Sequence, residues 1–154
     1  MGPTGQLLKP LGATTREEVA EAYEEQAAGL IEGGVDLLLL ETMSDLEEAK
    51  AAVEGVRRVT DLPLICTFSF DTHGRTMMGI RPAQAAREMA AWVEGIGANC
   101  GRDPAEFPGF IQAMRQVAPN KVLWAKPNAG LPQLIGEQAT YTATPTDMAQ
   151  IALQ

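Results

Sequence analysis

Four strand-like stretches along the chain have polar ends, at Glu41, Asp71, Cys100 and Asn128. This recurrence of about 29 residues matches the roughly 30 residues per strand–helix unit of an eight-unit barrel of about 250 residues. In a parallel α/β protein the C-terminal ends of the strands form the mouth where ligands bind. The spacing therefore predicts four side chains facing one site. One of them is a thiol: Cys100, in the run Gly97-Ala98-Asn99-Cys100-Gly101, is placed to act as a nucleophile or metal ligand rather than as core filling.

The segments between the stops read as helices. Thr15 with Glu18 makes a capping box, and Val19, Tyr23, Ala27, Leu30 and Ile31 follow at helical spacing up to Gly33-Gly34. Glu17, Glu21, Glu24 and Glu25 form the solvated face of that helix. Val35 to Leu40 reads as a strand with Glu41 at its exit, and Ser44 with Glu47 as the capping box of a second helix. Leu64 to Phe70 is the next strand, Pro82 opens a helix running to about Val93, and Ile96 to Asn99 is the third strand. Asp103 is an N-cap with Pro104 at the first helical position, and Phe107, Ile111, Met114 and Val117 face inward. Lys121 to Ala125 is the fourth strand, Pro127 to Pro132 a rigid loop, and Thr144-Pro145 the start of a last helix; Trp124 and Met114 read as core. The alternation predicts an α/β fold with a parallel sheet and right-handed crossovers, about four βα units in one domain over residues 1–154.

Composition narrows the function classes. A chain of 154 residues buries roughly 68 to 70% of its unfolded surface, enough for a real core. A formal charge of −8 disfavours nucleic acids and acidic membrane surfaces as partners, and leaves small polar molecules. No apolar stretch approaches the length of a membrane span, and no signal-peptide pattern opens the chain, so a soluble cytoplasmic protein is expected. Cys66 and Cys100 are expected to be reduced thiols.

Five stretches carry a family resemblance: Gly2-Pro3-Thr4-Gly5, Asp36-Leu37-Leu38-Leu39-Leu40-Glu41-Thr42, Asp71-Thr72-His73-Gly74-Arg75-Thr76, Gly97-Ala98-Asn99-Cys100 and Lys126-Pro127-Asn128-Ala129-Gly130-Leu131-Pro132. In this order they resemble the homocysteine S-methyltransferase family, whose domain is a zinc-dependent (β/α)8 barrel of the TIM type. The resemblance implies a partial barrel that lacks the first two strands and the last. It implies methyl transfer to the zinc-activated thiolate of homocysteine in the complete domain, with Cys100 as one zinc ligand, Glu41 accepting the substrate ammonium, and Asn99 on the substrate side shaping the site. Family members hold zinc with three cysteine thiolates, two of them from a Gly-Gly-Cys-Cys motif that is not found here. Cys66 does not replace them, because four residues of strand, at about 3.3 Å each, set it roughly 13 Å below the mouth. The zinc site is therefore expected to be incomplete, and the methyl donor is left open.

Other residues keep two readings. Asn128 either presents its amide to substrate or forms a turn, and Asp71 with Arg75 either orients a site loop or simply holds it. His73 reads as a solvated imidazole, and the glycines form no dinucleotide-binding motif. Two alternatives to the methyltransferase reading stay in view. One is a non-catalytic partial-barrel module that self-associates or complements a partner through open sheet edges, as a homo-oligomer. The other makes Cys100 a covalent nucleophile, for which the sequence supplies no base.

Overall fold

The computed structural model describes residues 1–154. Four strands, β1 (Leu38–Met43), β2 (Leu64–Phe68), β3 (Gly95–Cys100) and β4 (Val122–Pro127), form one parallel sheet in the order β1-β2-β3-β4. Helix α1 (Arg16–Glu32) precedes β1, and α2 (Leu46–Arg57), α3 (Pro82–Met89) and α4 (Phe107–Val117) follow β1, β2 and β3 in turn. Each of these helices packs on the next, so they make one layer on one face of the sheet.

Period-two alternation sorts the strand residues between the faces. Leu38, Leu40, Leu64, Cys66, Phe68, Ile96 and Ala98 join the core under the helices, with Val19, Tyr23, Val53, Val56, Met89 and Met114. The alternate positions, among them Glu41, Thr67, Asn99 and Lys126, point to the opposite face. Burying each of the larger core side chains stabilises the fold by about 1.5–3 kcal/mol. Two glycines permit close approach. A Cβ at Gly97 would lie 1.9 Å from the Trp124 carbonyl oxygen, and one at Gly55 2.0 Å from that of Ala20, where α2 crosses α1.

The α1 capping box forms as expected, with Thr15 and Glu18 bonded reciprocally. The second helix departs from expectation: its N-cap is Asp45, not Ser44, because Asp45 has the extended backbone and its carboxylate accepts from the Glu47 N–H at 2.9 Å. Helix α3 stops at Met89, four residues early, since the chain must drop back to start β3 at Gly95 with Val93 buried on the way. Asp103 caps a 3-10 turn, Pro104–Glu106, that leads into α4. Strand β1 runs from Leu38 to Met43, so Glu41 lies inside it rather than past its exit. Trp124 is half-buried on β4 rather than in the core, because β4 pairs with β3 on one side only. A hairpin of β5 (Gln133–Ile135) and β6 (Gln138–Thr140), turning at left-handed Gly136, and a last helix α5 (Pro145–Ala152) complete the chain.

Candidate functional site

The C-terminal rim of the sheet brings three of the four polar stops together. Strand β1 breaks register against β2 between Leu40 and Met43, and within the break Thr42 adopts a left-handed φ of 69°. Cys100, at the end of β3, is also left-handed, with φ 62°, and Gly101 follows at 75°. For residues other than glycine this region is strained, and such strain clusters at ligand sites.

One side chain ties the rim together. The Asn99 amide accepts from the Thr42 backbone N–H at 3.0 Å and from the Thr67 hydroxyl at 2.7 Å. It donates to Thr42 Oγ1 at 2.7 Å and to Cys100 Sγ at 3.1 Å. Thr42 Oγ1 lies 4.0 Å from the Cys100 sulfur. Asn128 closes the other side: its backbone N–H donates to the Cys100 carbonyl at 2.8 Å and its side chain to the Gly101 carbonyl at 3.3 Å. Asn128 thus holds the Cys100–Gly101 turn, and its side chain is exposed.

Glu41 faces the same rim. Its Oε1 accepts from Lys126 Nζ at 2.6 Å, with the Glu41 side chain 28% exposed and that of Lys126 61% exposed. The hydrogen bond and charge of Glu41 raise the Lys126 ammonium above its ordinary value, and the Cys100 sulfur adds a smaller contribution of the same sign. Behind β1, the buried Glu48 carboxylate accepts from the Thr4 N–H at 2.6 Å and hydroxyl at 2.7 Å, while Tyr23 donates to the Gly2 carbonyl at 2.7 Å. These bonds pin the loop of residues 2 to 5 beside Glu41, whose backbone N–H donates to the Met1 carbonyl at 2.8 Å.

Asp71 does not join this group. It lies three residues past the end of β2 on an exposed loop, with His73, beside Arg102, Asp103 and Glu106 around a shallow cavity of 230 Å³. Arg75 donates to the Gly79 carbonyl at 3.3 Å, within its own loop. A larger groove of 650 Å³ lies between α4, β4 and α5, lined by Ile111, Met148 and Ile151 among others, and is separate from the rim residues Glu41 and Cys100.

Sequence reasoning missed Thr42, Thr67 and Lys126 as site residues. Thr42 and Lys126 lay inside motifs already singled out, and counting by twos from Asn99 across the parallel register reaches Lys126 directly, since the two are paired. The residues present do not fit a zinc ion. No three His, Cys, Asp or Glu side chains are grouped to hold a metal, and Cys66 points to the helix side of the sheet while Asn99 points away from it. Burial also raises the Cys66 thiol far above its ordinary value, which keeps it protonated.

The model of the homocysteine S-methyltransferase family matches residues 1–154. The methionine synthase of Mycobacterium leprae (strain TN) is 38% identical, across 97% of this chain and 13% of that protein. The methionine synthase of Mycobacterium tuberculosis (strain ATCC 25618 / H37Rv) is 36% identical over the same shares. The chain therefore spans a small part of the length of these relatives. Among solved structures, the apo form of the homocysteine methyltransferase MmuM from Escherichia coli superposes with a TM-score of 0.66, covering 84% of this chain and 48% of that one, and at 20% identity the likeness is one of fold. On the match over its whole length, the chain belongs to the homocysteine S-methyltransferase family.

Proposed function

We propose that this chain forms the homocysteine-holding part of an S-methyltransferase, and that its four-stranded parallel sheet is an arc of a (β/α)8 barrel. The observation that carries the reading is the convergence of the Glu41 carboxylate and the Cys100 sulfur on one rim, linked by Asn99, Thr42 and Lys126. An α-amino acid thiol carries an ammonium at one end and a sulfur at the other. Glu41 accepts the ammonium as a charge-assisted hydrogen bond. Lys126 already occupies that carboxylate, so binding exchanges one cation for another and leaves the half-buried carboxylate paired. Asn128 holds the Cys100–Gly101 turn and offers its amide oxygen to the ligand. Cys100 supplies one thiolate of the three that hold zinc in the complete family domain; this chain alone does not complete that set.

Titration calorimetry of L-homocysteine against the wild-type chain and Glu41→Gln tests the reading. The wild type is expected to bind, and Glu41→Gln to bind roughly ten- to a hundredfold more weakly, the range of a charge-assisted hydrogen bond. Equal affinities would overturn the assignment of Glu41.

One observation favours a second reading, a non-catalytic module that self-associates. The outer edge of β4 is unpaired, and Val122, Leu131, Leu134, Ile135, Tyr141 and Leu153 are exposed in the same third of the chain. An open parallel edge flanked by apolar side chains is stabilised by pairing with a second copy.

A further inference from the structure

Asn99 is buried at 2% exposure, and its amide is fully used. A carboxamide has two acceptor lone pairs and two N–H donors. Here Oδ1 accepts from the Thr42 N–H and the Thr67 hydroxyl, and Nδ2 donates to Thr42 Oγ1 and Cys100 Sγ. Nothing on this amide is left for a ligand, so whatever Asn99 contributes passes through the groups it holds.

What it holds is strained. Thr42 is β-branched and left-handed, at the break in the β1–β2 register. A backbone in that region persists only where its surroundings over-determine it. The amide grips Thr42 at two points, the backbone N–H and the hydroxyl, and this fixes the peptide plane that follows Glu41. A register break of this kind re-aims the side chains beside it. The same amide touches the Cys100 sulfur, so one group sets the direction of both ends of the site.

We propose that Asn99 is a positioning residue: it holds the left-handed turn at Thr42 and so aims the Glu41 carboxylate and the Cys100 sulfur at a common space. This deepens the reading of Glu41 and Cys100 as one site and rests on it.

Glycine provides the test, because it takes a positive φ without penalty. If Asn99 acts by holding Thr42 left-handed, Thr42→Gly makes it dispensable. The wild type, Asn99→Ala, Thr42→Gly and the double variant are compared for L-homocysteine affinity and for urea midpoint. Asn99→Ala is expected to weaken binding by about tenfold or more, as misplacement of a binding group does. Adding Thr42→Gly is expected to recover most of that loss. Asn99→Leu has a similar shape but neither donates nor accepts, so it releases both grips on Thr42 without leaving a cavity; it carries the test if Asn99→Ala does not fold, with the same recovery expected. An Asn99→Ala chain that folds and binds like the parent overturns the proposal, as does a loss that Thr42→Gly leaves unchanged. If the wild type itself does not bind L-homocysteine, the site reading fails separately. The urea midpoint then decides: recovery of the Asn99→Ala loss by Thr42→Gly supports the role in the turn, and no recovery overturns it.

Discussion

Burial in the middle of β2, under the helix layer, raises the Cys66 thiol far above its ordinary range, because no charge or donor offsets the loss of solvent around a thiolate. Cys100 lies partly exposed at the rim, with an amide N–H aimed at its sulfur. The two thiols should therefore separate cleanly in alkylation. Under native conditions iodoacetamide is expected to label one thiol per chain, at Cys100, with Cys66 reacting only after denaturation; native labelling of Cys66 would contradict its placement. At this scale the sequence displayed Glu41, Cys100 and Asn128, because each is a polar residue where a strand gives way to a loop motif. It did not display Thr42 or Lys126, whose roles come from a left-handed backbone angle and from which face of the sheet a side chain leaves. Neither property is encoded in residue type alone.

Between α1 and α2 the contact is close, with Gly55 against the Ala20 backbone, and ion pairs bridge the solvent side. Arg16 grips Glu54 with two bonds, Nε to Oε2 at 2.9 Å and Nη2 to Oε1 at 2.7 Å, and Glu47 with a third at 2.8 Å. The hydrogen bond from Arg16 holds the Glu54 carboxyl below its ordinary value of 4.5. A carboxyl lowered on folding contributes stability that is present above pH 4.5 and lost as pH falls through its folded value. Both side chains are 38% exposed, so solvent limits the contribution to about 0.5–1 kcal/mol. Arg16→Met is accordingly expected to lower the urea midpoint at pH 7 and to match the wild type once Glu54 is protonated; a difference that persists undiminished at pH 2 would contradict the assignment. The helices were readable because caps and periodic apolar residues are local signals, as Thr15–Glu18 and Thr144–Asp147 show. The β5–β6 hairpin was not, because its strands are three residues each, mostly exposed, and lack an alternating pattern. The Gly136-Glu137 pair between them is the turn signal that marks it.

Across the whole molecule, β1 and β4 are the outer strands. Met1 bonds along the outer edge of β1, through its amino group to the Leu39 carbonyl and its carbonyl to the Glu41 N–H, while β4 is paired only with β3. The open edge of β4 predicts a dimer or larger species in light scattering at micromolar concentration. A monomer throughout would remove the support for the self-associating reading. No helix is long and apolar enough to cross a membrane. The parallel order of the sheet followed from the alternation of runs and caps, but where its rim residues converge depended on strand register, which shifts at Glu41–Thr42 and could not be counted from the sequence. The same L-homocysteine titration, followed residue by residue in an NMR spectrum of backbone amides, bears most directly on the site. The predicted result is a set of shifts at Thr42, Cys100, Gly101 and Asn128 that saturate together and weaken together in Glu41→Gln. Shifts confined to the groove between α4 and α5, or to the loop bearing Asp71 and His73, would contradict it.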